Sequence, residues 1–384
     1  MTSGFAVTAG WDLPVADLSH VHAAVAMAGA AAGHAGLAAA DRAGCALIAT
    51  ELATNLARHA LDGRLVATAT EPGPAAWVQL AAVDHGPGIP DVGAAMADGY
   101  STYAPASSLG GGLGACRRAA AVFDLWTSSG PAGTAAGFGR RPAASSTGSA
   151  AGTVVIARIG PGAPASPSSH IRIGGILAAR AGEQESGDAW GLTWDAGTIT
   201  LVIMDGLGHG PEAAKAAAAG LHEATEATEA TGNSANDPVA LLGRLDRRLL
   251  GGRGAVAAVA RLARNQLTFA GVGNIGARLG PDGGTHGLVS AMGTLGLGQR
   301  LRPQASVTRW GANSLFTAHS DGIRPSWDLS RYPGVTRHDP AVMAALIWRD
   351  AVSRTDDAAV VIVTGGPTSA PSSSPAPGPA GGRR

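Results

Sequence analysis

The sequence predicts an α+β protein of two domains, in which helices open the first domain and β-hairpins dominate the second. Two breaks in composition set the boundaries. Residues 141–153 and 365–384 are rich in Pro, Ser, Gly and Ala and show no apolar periodicity. A chain of 384 residues is long enough to form two ordinary hydrophobic cores.

The first domain is expected to cover residues 1–140 and to form a layer of helices on a sheet. Helical patterns come first, two extended runs separated by the turn Glu-Pro-Gly-Pro follow, and a glycine-rich loop opens a third helix before a closing strand. The predicted elements are, in order, helices at Val15–Ala31 and Ala38–His59, strands at Arg64–Thr70 and Ala76–Val83, a helix at Ala115–Phe123 and a strand near Ala135–Phe138.

A flexible linker at residues 141–153 is expected to lead into a second domain over residues 154–364, and residues 365–384 are expected to form a disordered tail. One helix is predicted from Pro211 to about Ala230, with proline in its first turn. The predicted strands of this domain are Ala189–Trp194, Thr198–Met204, Ala255–Leu262, Leu267–Val272, Ser314–Ala318 and Ala358–Val363.

Composition excludes several classes of function. The chain has 28 basic and 28 acidic residues, and this balance argues against a nucleic-acid-binding protein, which normally carries a basic excess. No signal peptide and no membrane-spanning segment are found in the sequence. The two cysteines, Cys45 and Cys116, lack a metal-binding spacing and suit a reducing compartment. We therefore expect a cytoplasmic protein without a nucleic-acid or membrane partner.

A first candidate site lies on the second predicted helix. Glu51 and Asn55 are four residues apart, so they share one helix face. The carboxylate can act as a base, and the amide oxygen is a suitable ligand for a hard cation such as Mg²⁺. Taken alone, the pair fits an exposed polar stripe better than a binding site.

Three glycine-containing segments follow this helix. Asp84 ends an apolar strand and precedes Gly86 and Gly88, so its carboxylate can accept a hydrogen bond from an exocyclic amine such as that of adenine. A run of glycines just before a helix exposes backbone N–H groups that can bind phosphate. The glycines of this run that we single out are Gly110, Gly112 and Gly114. Finally, Gly133 and Thr134 enter the expected closing strand.

In order and spacing these segments resemble the N-box, the two glycine boxes and the closing Gly-Thr of the GHKL (Bergerat) ATPase superfamily. Within it they are most similar to anti-sigma-factor serine/threonine kinases. The resemblance implies an α/β sandwich that holds ATP–Mg²⁺ between helices and a mixed sheet. Asn55 would then bind Mg²⁺, Glu51 would assist or position the attacking hydroxyl, Asp84 would bind adenine, and the glycine loop would close on the triphosphate. Pro131 and Ala132 stand where the family has a basic residue.

A second candidate site follows from the register of a predicted hairpin. If Ala196 and Gly197 form a two-residue turn, then Asp188 lies directly opposite Asp205. Directly opposed residues have Cβ atoms about 4.5–5.5 Å apart, and two like charges in such a pair are destabilising. A divalent cation between the two carboxylates removes the repulsion, so this register predicts a metal site.

Two further acids are expected at the same edge. Asp321 ends one apolar strand, and Asp356 and Asp357 precede another. If these strands pair antiparallel, the end of one meets the start of the other, which places Asp356 beside Asp321. An all-oxygen cluster without thiols favours Mn²⁺ or Mg²⁺ over Zn²⁺. Two such ions can activate water and bind a phosphoryl group.

These acids and the glycines around them resemble the SpoIIE-type branch of the PPM metal-dependent serine/threonine phosphatases, whose β-sandwich is flanked by helices. The matching segments are Gly187-Asp188, Asp205-Gly206 through Gly210, Gly273-Asn274, Ser320-Asp321-Gly322 and Asp356-Asp357. The resemblance implies that Asp188, Asp205, Gly206, Asp321 and Asp356 are the metal ligands. His209 is either a proton donor or a residue that stabilises the loop.

The two resemblances together predict a bifunctional regulator of a bacterial partner-switching pathway, in which a protein kinase and a phosphatase share one chain. They imply a partner that is a STAS-domain anti-sigma antagonist or a stressosome-like scaffold protein. Two alternatives stay open. The first domain can be an ATP-binding module that tethers the partner or gates the phosphatase, or the chain can hydrolyse nucleotide on a phosphatase-like scaffold.

Overall fold

The architecture was derived from a computed structural model, which describes residues 3–97, 112–129, 151–163, 171–183, 185–195, 197–231, 237–263, 265–280 and 286–365. Nine elements form the first half of the chain. They are β1 (Ser3–Pro14), α1 (Val21–His34), α2 (Ala39–His59), β2 (Arg64–Thr70), β3 (Val78–Val83), α3 (Val92–Ala95), α4 (Gly112–Ala119), β4 (Val122–Ser128) and β5 (Gly152–Ile159).

The second half is richer in strands. Its elements are β6 (Ile171–Ala178), β7 (Asp188–Asp195), β8 (Thr198–Gly206), α5 (Pro211–Thr231), α6 (Pro238–Arg248), β9 (Ala255–Ala263), β10 (Gln266–Val272), β11 (Gly276–Gly280), β12 (His286–Leu288), β13 (Ser306–Arg309), β14 (Leu315–His319), α7 (Pro340–Ala351) and β15 (Ala358–Gly365).

One sheet of ten strands runs through both halves, in the order β13-β10-β9-β8-β7-β1-β2-β3-β5-β4. The strand β1 joins the two parts. Its beginning pairs with β7, where Val7 lies opposite Trp190, and its end pairs with β2, where Pro14 lies opposite Arg64. A bulge between Val7 and Ala9 lets the strand change direction between the two pairings. The predicted pair of separate sandwiches is therefore one continuous structure.

Neighbouring residues of a strand point to opposite faces of this sheet and pack against different elements. On β2, Leu65 and Ala67 pack under the first helices, whereas Val66 packs against α7. On β8, Leu201 faces the second sheet, and Met204 faces the helices of the second half. That second sheet has the order β12-β11-β14-β15-β6. The molecule thus has helices on one side of the large sheet, and the small sheet and α7 on the other.

The first half differs from the expected order of elements. It begins with the strand β1. The first helix starts at Val21, directly after a short 3₁₀ turn that Asp17 caps with its side chain. The ladders between its described strands are all antiparallel, whereas the resemblance implied a mixed sheet. The helix expected over Ala115–Phe123 covers Gly112–Ala119 instead, and the strand β4 follows it.

The boundary between the halves also differs. Residue 154 was expected to open the second domain, but it belongs to β5, which pairs with β3 on one side and β4 on the other. Gly152 and Thr153, assigned to the linker from their composition, begin this buried strand. The strand expected near Ala135–Phe138, most of the linker and all but the first residue of the tail lie outside the described residues.

Other expectations are confirmed. The strand Arg64–Thr70 has the predicted limits, and the helix predicted from Pro211 ends at Thr231. Both cysteines are free and buried. None of the helices in the described part of the chain combines the length and the apolar character that crossing a membrane requires.

Candidate metal centre and candidate nucleotide site

The hairpin of β7 and β8 has the predicted register, and Asp188 lies directly opposite Asp205. The adjoining strand continues the ladder, with Val256 opposite Asp205 and Ala255 opposite Gly206. Asp188 is the first residue of β7, and Asp205 is the last residue but one of β8. Both aspartates therefore stand at the open end of the hairpin, next to strands that are largely buried. The first pair of candidate ligands is thus set by backbone pairing alone.

The second sheet brings the remaining acids to this edge. β14 and β15 pair antiparallel, with His319 opposite Val360, so the end of one meets the start of the other. The hydrogen bond from Ser320 N to the carbonyl of Ala359 extends the pairing by one step (3.1 Å). Asp321 and Asp356 follow and precede these paired ends, and the pKa of Asp321 is raised by burial and then by the charge of Asp356. We refer to Asp188, Asp205, Asp321, Asp356 and Asp357 as the acidic rim.

Electrostatic coupling shows that the acidic rim is one cluster. The side chain of Asp188 is only 2% exposed. Burial, and after it the charge of Asp205, raises the pKa of Asp188 well above its usual value. Burial, followed by the charges of Asp321, Asp356 and Asp357, raises the pKa of Asp205 to about 7. Carboxylates from two sheets therefore repel one another across a short gap, as expected of ligands that share cations.

Hydrogen bonds hold the rim in place. The Ser320 hydroxyl donates to Asp188 Oδ2 (2.5 Å) and accepts from Ala359 N (3.0 Å). Asn274 Nδ2 donates to Asp321 Oδ2 (2.7 Å). Neither Ser320 nor Asn274 was predicted as a site residue, although both stand in segments that the family resemblance had marked.

Asp357 has a different role from its neighbour. Its two carboxylate oxygens accept from the backbone N–H groups of Arg180 and Gly187, each at 2.8 Å. This fixes the loop that leads into Asp188, and Asp357 itself is buried. The arrangement agrees with the expectation that Asp356 and not Asp357 is the ligand.

The donor set suits a hard divalent cation, since it offers carboxylates and the backbone carbonyl of Gly206 and no thiol. In the described part of the chain, no three ligand side chains converge closely enough to share one ion in their present rotamers. Asp188 is hydrogen-bonded to Ser320 and Asp321 to Asn274.

The loop after β8 is shaped by its glycines. A Cβ at Gly206 would lie 2.3 Å from the carbonyl oxygen of Ala213, so only glycine allows the strand end to approach α5 so closely. His209 on this loop forms an ion-pair contact with Glu183 (Nδ1 to Oε1, 3.0 Å). That contact favours the loop-stabilising role over the proton-donor role for His209.

The candidate nucleotide residues lie on the first half of the sheet and its helices. Glu51 and Asn55 are both half-buried and one turn apart on α2. Burial raises the pKa of Glu51, and a hydrogen bond from the backbone N–H of Gly112 partly offsets the rise. The structure thus joins Glu51 to Gly112 at the start of α4. Gly114 is buried in α4, and Gly110 lies outside the described residues.

Asp84 lies at the turn after β3. Its Oδ1 accepts from Gly86 N (2.6 Å) and from Thr153 N (3.3 Å). A Cβ at Gly86 would lie 3.1 Å from the carbonyl oxygen of His59, so the turn abuts the end of α2. Gly88 has φ +80° and approaches the backbone of Ser128, where a side chain would collide. Burial raises the pKa of Asp84, and the hydrogen bond from Gly86 acts against it.

A Gly-Thr pair that the sequence analysis did not single out lies beside Asp84. Gly133 and Thr134 lie outside the described residues, and the Gly-Thr pair next to Asp84 is Gly152–Thr153. Gly152 has φ +126°, and a Cβ there would lie 2.1 Å from the carbonyl oxygen of Asp84. The sequence carries a sign of this pair, because Gly152–Thr153 precedes a run of apolar β-branched residues. No basic residue precedes this pair either, since Ala151 stands before it.

The last turn of α7 contacts the nucleotide-site residues. Arg349 Nη1 donates to the carbonyl oxygens of Asp84 (2.8 Å) and Ala151 (3.3 Å). The neighbouring Asp350 is 2.9 Å from His85 Nε2 through its Oδ1. Sequence patterns gave no sign of these contacts, because they join residues about 265 positions apart.

Comparison with known proteins gives structural matches only, since no family model and no curated protein sequence matches the chain. A chain from work on the bacterial stressosome as a modular system controlling secondary messenger signalling is 31% identical, with TM-score 0.44, covering 50% of this chain and 98% of that chain. RsbX in complex with magnesium is 22% identical, with TM-score 0.44, covering 51% of this chain and 96% of RsbX.

A third match is the PP2C phosphatase domain of SpoIIE from Bacillus subtilis, solved with a fragment of its regulatory domain. It is 16% identical, with TM-score 0.42, and the match covers 56% of this chain and 68% of that one. The similar structures thus include PP2C phosphatases, and each of these matches spans about half of this chain.

Proposed function

We propose that the second half of the chain is a metal-dependent phosphoserine/phosphothreonine phosphatase. The observation that carries this proposal is the register that sets Asp188 opposite Asp205, with Asp321 and Asp356 brought to the same edge by the other sheet. Four carboxylates at or next to strand ends would form a ligand set for two divalent ions.

In the proposed mechanism Asp188, Asp205, Asp321, Asp356 and the carbonyl of Gly206 would hold Mn²⁺ or Mg²⁺. Bound there, the ions supply positive charge for the phosphoryl group and lower the pKa of water. The chain's own task is to keep the carboxylates ionised and aligned. Ser320 orients Asp188, Asn274 orients Asp321, and Asp357 fixes the loop before Asp188.

We further propose that the first half binds ATP–Mg²⁺ and transfers its terminal phosphoryl group to a Ser or Thr of the partner. Asn55 would bind Mg²⁺, Glu51 would position or deprotonate the hydroxyl, and Asp84 with Thr153 would bind the adenine. The contacts from Gly112 to Glu51 and from Thr153 to Asp84 support this assignment. The partner proposed is a cytoplasmic STAS-domain antagonist or stressosome-like scaffold, whose docking changes when phosphate is added.

A phosphate-affinity gel of the candidate STAS partner tests both activities. With ATP, the wild type should shift the partner, and Glu51→Ala should not. With Mn²⁺, the wild type should remove phosphate from the shifted partner, and Asp205→Ala should not, while Asp205→Ala keeps the kinase reaction. If neither reaction occurs with the wild type, the proposal of a bifunctional enzyme is wrong.

The contacts of α7 favour a second candidate function for the first half, namely an ATP-binding module that gates the phosphatase. Arg349 and Asp350 bind the turn at Asp84 and His85. One turn later, Ser353 N donates to the carbonyl oxygen of Gly322 (2.7 Å), which is the residue after Asp321. A shift at the nucleotide turn can therefore reach a proposed metal ligand through one short rigid segment.

Gating is tested by measuring Mn²⁺-dependent dephosphorylation with and without a non-hydrolysable ATP analogue. A gated phosphatase should change its rate at least threefold in the wild type and should lose this response in Arg349→Lys. The conservative change keeps the positive charge but loses the several fixed donors of the guanidinium, of which Nη1 binds both carbonyls while Nε and Nη2 bind Asp350. Equal rates with and without the analogue would leave only the kinase or tethering roles for the first half.

A further inference from the structure

The acidic rim poses an electrostatic problem for a phosphorylated substrate. Two divalent cations neutralise four of its five carboxylates. A phosphoserine brings about −1.5 to −2 further charges at neutral pH. The substrate phosphate therefore needs a cationic side chain near the rim, and none of the residues marked in the sequence supplies one.

Two basic side chains near the rim have acidic partners. Lys215 pairs with Glu212 (2.7 Å), and His209 pairs with Glu183 (3.0 Å). Arg253 differs from them. Its side chain is exposed, and no hydrogen bond or salt bridge joins its guanidinium to another residue in the described ranges.

The backbone register places Arg253 beside the metal loop. In the ladder of β8 with β9, Asp205 lies opposite Val256 and Gly206 opposite Ala255. One step further, Leu207 N donates to the carbonyl oxygen of Gly254 (3.1 Å). The next position along this line sets Arg253 against Gly208, three residues from the proposed ligand Asp205.

The side chain of Arg253 also lies beside the metal loop. A Cβ built on Gly208 would lie 2.8 Å from one Nη of Arg253 and 3.3 Å from its Cζ, so the guanidinium lies against the bare backbone of the metal loop. Gly208 has φ +87°, a conformation that favours glycine, and the absence of a side chain leaves the space that the guanidinium occupies.

We propose that Arg253 binds the phosphoryl oxygens of the substrate. This inference rests on the proposed phosphatase function and names a substrate-binding residue for it. The guanidinium is planar and carries paired N–H donors, which match two oxygens of a phosphate. Its guanidinium lies against Gly208 of the metal loop, and the nearby Glu212, whose charge it senses, is already paired with Lys215.

Binding of inorganic phosphate to the Mn²⁺-loaded protein, measured by calorimetry, tests the proposal without turnover. Arg253→Ala should weaken phosphate binding at least tenfold, and Arg253→Lys should recover part of the loss. Arg309→Ala is the matched control, because Arg309 is an exposed arginine on β13, and it should bind phosphate like the wild type. The Mn²⁺ titration midpoint should be the same in all variants.

Equal phosphate affinity in the wild type and Arg253→Ala overturns the proposal, as does a wild type that binds no phosphate. An altered Mn²⁺ midpoint in Arg253→Ala also overturns it, since the arginine would then act through the metal loop. Hydrolysis of a phosphoserine peptide separates the two proposals. If the wild type binds phosphate through Arg253 but does not hydrolyse the peptide, the phosphatase function fails and the phosphate site stands.

Discussion

Burial, together with the charges of Asp321, Asp356 and Asp357, raises the pKa of Asp205 to about 7. In the metal-free protein such a carboxyl binds a proton more tightly when folded than when unfolded. Its favourable contribution to stability is complete below the usual pKa near 4 and is lost as the pH rises through 7. The acidic rim thus costs stability at the pH where it binds cations best.

Replacing Asp205 by Asn should separate these two effects. In EDTA at pH 8, Asp205→Asn should melt about 2–6 °C higher than the wild type, because one member of a repelling set is gone. The difference should shrink towards pH 5. With Mn²⁺ the order should reverse, and phosphatase activity should fall at least a hundredfold. Scanning fluorimetry and peptide hydrolysis measure the two effects, and the exposed Asp62→Asn is the control.

Ser320 is predicted to matter through Asp188 and the strand β15. Ser320→Ala removes the hydroxyl that donates to Asp188 and accepts from Ala359 N, leaving two buried polar groups without this partner. We expect a loss of about 1–3 kcal/mol in the free energy of unfolding, measured in urea. Mn²⁺ binding should also weaken several-fold. The exposed Ser330→Ala should change neither quantity, and an unchanged Mn²⁺ affinity in Ser320→Ala would refute the positioning role.

At the scale of elements, the second half could be predicted well because its key pairing is local. A two-residue turn fixes the β7–β8 register, so the opposition of Asp188 and Asp205 follows from the sequence alone. The pairing of β1 with β7 and the insertion of β5 between β3 and β4 could not be predicted. Both join distant segments, and β5 is preceded by a stretch with the composition of a linker.

β6 and α7 pack so closely that adding one methyl group at Gly174 should separate them. A Cβ on Gly174 would lie 2.2 Å from Ala341 N, in the first turn of α7. Gly174→Ala should therefore push the helix away and cost about 1–3 kcal/mol in the free energy of unfolding. Gly29→Ala is the matched control, because Gly29 lies in α1 with open space around it. That change should be neutral or stabilise by up to about 1 kcal/mol.

At the scale of the whole molecule, α7 belongs to the second half in sequence but packs against both halves. Trp348 is fully buried in a cluster that also contains Val154 and Ile156 of β5. Arg349 lies over the rings of Trp126 and Tyr332, at 5.9 and 5.8 Å. The two halves consequently share a core, and we expect them to unfold together and not as separate domains.

The pH dependence of the free energy of unfolding tests the contribution of Asp350 to this shared core. Burial acts to raise the pKa of Asp350, but hydrogen bonds from His85, Arg349 and Tyr332 outweigh it and hold the pKa well below its usual value. A depressed pKa contributes stability above about pH 4, and this contribution is lost as the pH falls further. Asp350→Asn should therefore lower the free energy of unfolding by about 2 kcal/mol or more at pH 7.

At pH 3 the difference between Asp350→Asn and the wild type should shrink, because at this pH the wild-type Asp350 takes up a proton on unfolding and so loses part of its stabilising contribution. Urea unfolding followed by tryptophan fluorescence measures this, since Trp126 and Trp348 lie in the shared core. One transition should be seen at both pH values, in the wild type and in the variant. Two separate transitions, or a deficit that is equal at pH 3 and pH 7, would show that Asp350 does not join the two halves through its charge.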